Sequence, residues 1–233
     1  MGKDTPVDLY GRDGLRTGGR MRIRWHGHAC FEVSNGETVV TDPHDGKSIG
    51  IPPPRVKADV LLVSHNHFDH NSVRSVKGAN TRIFDKPGRF VDGKMEIVGV
   101  PSFHDDSGGQ KRGPMVLYKF RTEGISLCHL GDLGCLLGEP ELQALGEIDI
   151  LFVPVGDIFT IDAVKAREVI RSVNPLVAIP MHYRTGGLSL SIKTLDPFLA
   201  EVKDIAEVVN VGNEIVFDRE DLPENLSVWV FSL

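Results

Sequence analysis

The stretch Val60-Leu61-Leu62-Val63-Ser64-His65-Asn66-His67-Phe68-Asp69-His70 carries the strongest structural signal in this 233-residue chain. Its first half, Val60–Ser64, is an apolar run typical of a strand that is buried on both faces of a sheet. Its second half brings together four metal-binding side chains: His65, His67, Asp69 and His70. A regular strand or helix cannot point all four side chains the same way, whereas a loop can fold them around two adjacent ions. The stretch therefore predicts a metal centre on a loop that follows a buried strand.

The donor atoms of this loop also indicate which metals would bind. Imidazole nitrogens and carboxylate oxygens suit zinc, manganese or iron. A solvated polar loop with coincidental histidines is the alternative. The density of ligands and their position at the end of a strand favour the metal site. We expect two divalent ions, with zinc as the first choice and manganese or iron as the alternatives.

Three more metal-binding side chains lie in similar positions later in the chain. His104 follows Val100-Pro101-Ser102-Phe103, Asp132 ends the segment His129-Leu130-Gly131-Asp132, and His182 follows Val177-Ala178-Ile179-Pro180-Met181. An isolated histidine after a strand is more often a surface or core residue than a ligand. With a strong motif already present, these three residues become candidates to complete the site.

The pattern along the chain predicts one layered domain at residues 21–233, with strands dominating the first half. The predicted strands are Met21–Trp25, Cys30–Ser34, Thr38–Thr41, Val60–Ser64, Met95–Val100, Met115–Phe120, Ile125–His129, Ile148–Val153 and Leu176–Pro180. The predicted helices are Asp162–Ser172 and Leu195–Ile205. A hairpin turn is expected at Asn35-Gly36. Residues 1–20 are polar and Gly-rich, and we interpret them as a leader that was added for expression or is disordered.

The composition limits the classes of partner. The net charge of −6 argues against binding nucleic acid mainly through its phosphates. No apolar run is long enough for a transmembrane helix, so no membrane partner is expected. The three cysteines include no CxxC pair, which favours small buried thiols and gives no sign of an oxidising compartment. We expect a cytoplasmic protein that acts on a small molecule.

The motif His-x-His-x-Asp-His, followed by a histidine, a Gly-Asp and another histidine at strand ends, resembles the metallo-β-lactamase fold superfamily. Within it, four segments resemble the metal-dependent hydrolases close to the L-ascorbate-6-phosphate lactonases. These segments are Gly27–Phe31, Thr41–Pro43, His129–Asp132 and Pro180–Tyr183. The resemblance implies an α/β fold in four αββα layers, with two mixed sheets flanked by helices. It also makes a homo-oligomer an expectation.

The resemblance further implies a complete ligand set for two ions. Under it, one ion is held by His65, His67 and His104. The second is held by Asp69, His70 and His182, and Asp132 bridges both. The sequence departs from the family at Leu133, where a small hydroxyl residue usually follows the aspartate. This departure puts the hydrogen bonding around Asp132 in doubt.

Two adjacent cations lower the pKa of a water molecule and polarise a carbonyl or phosphoryl oxygen. Asp69 or Asp132 is expected to orient that water or to take its proton. The pattern therefore predicts hydrolysis of a small ester, lactone or phosphoester. An iron-dependent redox enzyme and a non-catalytic metal-binding protein are the alternatives. The unaltered motif and the missing flavin domain argue against the iron-dependent redox enzyme. The complete ligand set argues against the non-catalytic metal-binding protein.

Several residues keep two interpretations. Asp42 either hydrogen-bonds a ligand histidine or only forms a turn. His28 and His129 either contact substrate at the pocket wall or pack. Tyr183 either donates to a developing oxyanion or packs. Arg112 either binds an anionic substrate group or faces solvent. His26 and His44 have no assigned role.

Overall fold

Two β-sheets form the centre of the fold in the computed structural model, which describes residues 20–93 and 95–233. The predicted leader lies outside the described residues except for Arg20. Within the described ranges, no helix is long and apolar enough to cross a membrane.

The first sheet has six strands in the order β13-β1-β2-β3-β4-β5. Its strands are β1 (Met21–Trp25), β2 (Phe31–Ser34), β3 (Thr38–Thr41), β4 (Ala58–Leu62), β5 (Lys77–Phe84) and β13 (Glu214–Phe217). Strands β2 and β3 form the predicted hairpin, in which Ser34 pairs with Thr38 and Gly36 takes a φ of 113° that favours glycine. Strands β3, β4 and β5 run parallel, so their carboxyl ends lie at one edge.

The second sheet has eight strands in the order β12-β14-β11-β10-β9-β8-β7-β6. Its strands are β6 (Gly88–Asp92), β7 (Met95–Phe103), β8 (Pro114–Thr122), β9 (Ile125–His129), β10 (Ile150–Pro154), β11 (Val177–Met181), β12 (Glu207–Gly212) and β14 (Ser227–Phe231). Strands β9, β10, β11 and β14 are buried along their whole length. Such burial is expected for strands covered on both faces.

In the described part of the chain, four short α-helices cover the sheets: α1 (Val73–Val76), α2 (Glu139–Leu145), α3 (Ala163–Val173) and α4 (Asp196–Val202). Helix α3 begins where the Asp162 side chain accepts a hydrogen bond from the Lys165 N–H at 2.8 Å, and it ends at Asn174, which has a left-handed φ of 52°. It packs Ala166, Val169 and Ile170 into the main core.

A smaller core on the first sheet places Val76 of α1 with Cys30 and Leu61. The predicted α/β sandwich of two mixed sheets is therefore confirmed, although the helical layer on the first sheet is a single turn. The cysteine prediction is correct for Cys30 and Cys128, whereas Cys135 is only half-buried.

The metal-binding residues predicted from the sequence follow the carboxyl ends of strands, where ligands commonly bind in sheets of this kind. The motif loop follows β4, Asp132 follows β9, and His182 follows β11. Strand β4 ends two residues earlier than predicted. The cause is local, because the Ser64 N–H donates to the Asp42 carboxylate at 2.7 Å.

Candidate metal centre

Three histidines form the first half of the site. The ring nitrogens Nε2 of His65 and Nδ1 of His67 lie 3.0 Å apart. The ring of His104 stands 4.8 Å from that of His65 and 5.1 Å from that of His67, measured between centroids. One nitrogen from each ring can therefore face a common point.

Four side chains form the second half: His28, Asp69, His70 and His182. Asp69 Oδ2 lies 3.6 Å from His70 Nε2. His28 Nε2 lies 3.1 Å from that carboxylate oxygen and 3.2 Å from His70 Nε2. The rings of His28 and His182 are tilted by 40° to each other, with 4.2 Å between their centroids. His28 thus lies in this half of the site.

Asp132 lies between the two halves. Its Oδ2 is 3.4 Å from Nε2 of His104 and 3.9 Å from Nε2 of His65 in the first half. The same oxygen is 3.2 Å from Nε2 of both His70 and His182 in the second half. One carboxylate therefore reaches ring nitrogens of both groups.

These separations fit metal ligands. Tetrahedral bonds of about 2.0–2.1 Å place neighbouring donor atoms roughly 3.3–3.4 Å apart. The donor separations around Asp132 and Asp69 scatter about that value. Asp132 Oδ1 is buried and has no hydrogen-bond partner among the described residues, while the neighbouring Leu133 side chain is fully buried in the core. A buried carboxylate oxygen of this kind is expected to need a cation.

The charges of the site point to the same conclusion. Burial alone would raise the pKa of Asp132, but the charges of His182 and His70 and hydrogen bonds from both rings hold it well below its usual range. The pKa of Asp69 and that of Asp42 are also lowered against burial, mainly by His28 and His70 respectively.

Among the histidines, burial lowers the pKa of His28 and that of His65 to about 3, so both rings are neutral at pH 7. Burial would also lower the pKa of His70, but the charge of Asp132 and hydrogen bonds to Asp132 and Asp42 raise it well above its usual range. The three carboxylates of Asp42, Asp69 and Asp132 thus stay ionised although they are buried, and buried negative charge of this kind suits divalent cations.

The backbone is strained at three of these positions. His28, Asp42 and His182 have φ values of 55°, 36° and 54°, a region that residues other than glycine rarely adopt. Such strain persists where the surrounding structure holds it, and it is concentrated at functional sites.

Asp42 hydrogen-bonds His70, one of the candidate ligands, and this contact agrees with one of its two interpretations. Its Oδ2 accepts hydrogen bonds from His70 Nδ1 at 3.0 Å and from the Ser64 hydroxyl at 2.6 Å. The Ser64 oxygen in turn lies 2.8 Å from His65 Nδ1. One buried carboxylate therefore orients a histidine in each half of the site. Ser64 was missed in the sequence because a serine at a strand end has no distinctive pattern.

We expect Asp42→Asn to weaken metal binding by about 10–100-fold, the usual loss when a supporting group is removed. The new amide would present N–H groups where His70 and Ser64 now donate. Metal affinity measured by competition with a chelator checks this expectation. Asp45→Asn is the control, because the exposed Asp45 carboxylate bonds only to Ser48. An Asp42→Asn variant with wild-type affinity would rule out the supporting role.

The contacts of His129 favour its packing interpretation. It is buried, its Nε2 donates to the Ala29 carbonyl at 2.9 Å, and its Nδ1 accepts from the Gly131 N–H at 3.2 Å. Both ring nitrogens are thus used by the backbone, and the ring holds the turn that leads to Asp132.

The contacts of Tyr183 are those of a packing tyrosine. Its hydroxyl donates to the Phe231 carbonyl at 3.0 Å, and its ring stacks on Trp25 at 5.4 Å. These contacts favour the packing interpretation over the oxyanion donor, because the hydroxyl already donates on the side of the core.

We expect Tyr183→Phe to keep the catalytic efficiency within about twofold, since an oxyanion donor would be worth roughly 10²–10³-fold. The variant should lose about 1 kcal/mol of unfolding free energy with the Phe231 hydrogen bond. Steady-state kinetics and urea unfolding measure the two quantities. A loss of activity near a hundredfold with the fold intact would restore the catalytic interpretation.

The remaining unassigned residues lie around the site. His26 Nε2 pairs with Glu32 at 3.0 Å, and His44 Nε2 donates to the His26 carbonyl at 3.0 Å. The Arg112 side chain lies over the ring of Phe159, with 4.6 Å between the guanidinium carbon and the ring centroid. His26 and His44 are thus accounted for by structural contacts.

Three glycines allow the loops of the site to approach one another, a role that the sequence did not predict. A Cβ on Gly131 would lie 2.6 Å from the Ser64 side chain, and one on Gly134 would lie 2.3 Å from the backbone of His104. A Cβ on Gly156 would lie 2.0 Å from the His182 carbonyl oxygen. These approaches are too close for any side chain at the three positions.

A family model and individual relatives agree on the family to which this chain is similar. Residues 22–182 match the model of the β-lactamase superfamily domain. The UPF0173 metal-dependent hydrolase of Thermoplasma volcanium is 31% identical over 88% of this chain and 99% of its own. That of Archaeoglobus fulgidus is 28% identical over 71% of this chain and 84% of its own.

A solved structure from Thermotoga maritima, assigned as a Zn-dependent hydrolase of the metallo-β-lactamase superfamily, is 39% identical to this chain. Its TM-score is 0.73, and the match covers 91% of this chain and all of that one. A metal-dependent hydrolase structure from Parabacteroides distasonis, with a TM-score of 0.63 over 79% of this chain and 89% of that one, is 20% identical and supports the fold alone. The chain therefore belongs to the metallo-β-lactamase superfamily and, within it, to the UPF0173 metal-dependent hydrolases.

Proposed function

We propose that this hydrolase uses two metal ions to cleave a small ester, lactone or phosphoester. The observation that carries the proposal is the position of Asp132 Oδ2, within 3.9 Å of ring nitrogens from both halves of the site. A carboxylate so placed suits a ligand shared by two ions. A single-ion site would have no use for the second group of donors.

The seven residues carried over from the family supply the ligands in this proposal. His65, His67 and His104 hold the first ion. Asp69, His70 and His182 hold the second, and Asp132 bridges them. The position of His28 beside Asp69 and His70 makes it a neighbour of the second ion. Zinc is the expected metal because the donor set combines imidazole and carboxylate.

Two bound ions would supply hydroxide near neutral pH and an electrophile for a carbonyl or phosphoryl oxygen. The chain's own residues then position water and move its proton. Asp69 fits this role better than Asp132, because its side chain is 11% exposed whereas that of Asp132 is 3% exposed. Asp69 Oδ2 also contacts His28 Nε2, which fixes the orientation of the carboxylate.

In the hydrolytic step, the water oxygen forms a bond to the carbonyl carbon or phosphorus, and the bond to the leaving oxygen breaks. The proton taken from water passes through Asp69 to that leaving oxygen. No oxidant or reductant is needed. Solvent reaches this region near Asp69, since the flanking Phe68 is 62% exposed and His67 is only partly buried.

The test is to strip the protein with a chelator and reload it with zinc, manganese or iron(II). A panel of lactones, carboxylic esters and phosphodiesters should show hydrolysis that is lost on stripping and restored by at least one metal. His67→Ala should lose metal and activity together. Asn66→Ala is the control, because Asn66 is exposed and its side-chain oxygen bonds only to Asn71. Full hydrolysis by the stripped protein would refute the proposal.

A further inference from the structure

The loop that follows His104 is held rigidly. The Asp105 carboxylate accepts four backbone N–H hydrogen bonds, from Ser107, Gly109, Lys111 and Arg112, at 2.8, 3.0, 2.9 and 2.8 Å. The His104 N–H donates to the Gly113 carbonyl at 3.1 Å and closes the base of the loop. The backbone of Arg112 therefore has a fixed position. Arg112 directly precedes Gly113, whose carbonyl accepts the hydrogen bond from His104, a proposed metal ligand.

The Arg112 side chain extends from this loop to a second loop of the site. Its guanidinium lies over the ring of Phe159, 4.6 Å from the centroid. Phe159 follows Gly156, whose Cα is packed against the backbone of His182. The contact thus joins the loop of His104, in the first half, to the loop packed on His182, in the second half. The Arg112 side chain therefore links one loop that leads from His104 to another that packs on His182.

Among residues 20–93 and 95–233, no acidic oxygen lies within 4.0 Å of the Arg112 guanidinium, whereas the adjacent Lys111 pairs with Asp106 at 2.9 Å. A cation–π contact such as that with Phe159 does not use the N–H donors of a guanidinium. Those N–H groups match an oxyanion in two parallel hydrogen bonds.

The loop fixes the backbone of Arg112, and Phe159 restricts its exposed side chain. Both features reduce the conformational freedom that a free arginine would lose on binding a ligand.

We infer that Arg112 determines substrate specificity by binding an oxyanion, a carboxylate or phosphonate-like group, carried by the substrate away from the bond that is cleaved. The inference rests on the proposed hydrolytic function and adds the substrate class: a small anionic ester or lactone. The Arg112 guanidinium would hold this group in two hydrogen bonds while the reacting carbonyl or phosphoryl group lies at the metal centre.

The kinetic test compares three 4-nitrophenyl esters: the neutral butyrate, the glutarate with a free carboxylate, and the 3-phosphonopropionate. The zinc-loaded wild type should prefer at least one anionic ester, and the preferred ester identifies the oxyanion. Arg112→Ala should remove this preference by raising KM about 10–100-fold, the effect of losing charge-assisted hydrogen bonds. The KM for the butyrate should change much less than the KM for the preferred anionic ester, and Arg112→Lys should recover part of the preference. Lys111→Ala is the matched control and should behave as the wild type.

A binding measurement distinguishes a failure of the proposed role of Arg112 from a failure of the proposed hydrolytic function. Calorimetric titration of the zinc-loaded protein with phenylphosphonate, and separately with benzoate, needs no turnover. Arg112→Ala should weaken binding of the oxyanion probe about tenfold or more, whereas Lys111→Ala should not. Equal affinities for wild type, Arg112→Ala and Lys111→Ala would overturn the role of Arg112. If the wild type cleaves none of the three esters, ester hydrolysis is refuted and the titration alone decides on Arg112.

Discussion

Replacing Asp132 by alanine is expected to release both metal ions and to abolish hydrolysis. Asp132 Oδ2 lies within 3.9 Å of four imidazole nitrogens, two from each half of the site. Its removal takes away the proposed shared ligand and one of three buried carboxylates. The loss of activity should exceed the roughly 100-fold that follows from removing a supporting group.

Metal content by mass spectrometry and steady-state rates measure this prediction. Asp149→Ala is the control, because the Asp149 carboxylate bonds the Ser126 N–H at 2.7 Å and lies apart from the metal site. Circular dichroism should show that both variants fold. An Asp132→Ala protein that keeps two ions, or keeps its activity, would show that the carboxylate is not the bridge.

The second large effect is expected at Gly156, which has no chemistry of its own. Alanine there would place a Cβ 2.0 Å from the His182 carbonyl oxygen and 3.1 Å from its Nδ1. Since both contacts are too short, the backbone of His182 must shift. We expect the free energy of unfolding to fall by about 1–3 kcal/mol. Metal affinity should fall by about 10–100-fold as the His182 ring moves.

Gly186→Ala is the matched control. Gly186 is exposed in the loop after His182, and a Cβ on it would meet nothing within 4 Å. Its unfolding free energy should stay within about 0.5 kcal/mol of the wild type. Denaturant unfolding of the metal-free proteins separates the packing effect from the loss of metal. Equal stability and equal zinc affinity for the two variants would contradict the close contact.

The core strands were predictable because burial on both faces leaves long apolar runs. Strands β1, β3 and β9 have the predicted bounds, and the helix predicted at Asp162–Ser172 is observed as Ala163–Val173. Strand β5 was missed because most of its side chains are partly or fully exposed, so its sequence has no apolar periodicity. Strands β6 and β12 lie at the two edges of the second sheet, and most of their side chains are also partly or fully exposed. Strand β14 is fully buried and apolar. Its sequence has the apolar pattern of a buried strand, although it is not among the predicted strands.

The candidate ligands were predictable for a different reason. Four of them lie within six residues, and that density is itself a signal. The contacts that orient them are made between residues distant in sequence, such as Asp42 with His70 and Gly156 with His182. A single sequence does not show such pairs. His28 is the clearest example, since only the fold places it beside Asp69 and His70.

The oligomeric state and the cellular location stay predictions from the sequence. The homo-oligomer can be checked by light scattering of the zinc-loaded protein. The proposed metal ligands all come from one chain, so a monomer would leave the account of the site unchanged.

The most direct test of the two-ion centre is the number of zinc ions that one chain binds tightly. Protein stripped with a chelator is titrated with zinc against a competing chromophoric chelator, and bound metal is confirmed by mass spectrometry. The account predicts two equivalents per chain for the wild type, with neither retained by Asp132→Ala. One equivalent or less in the wild type, with full hydrolytic activity, would contradict it.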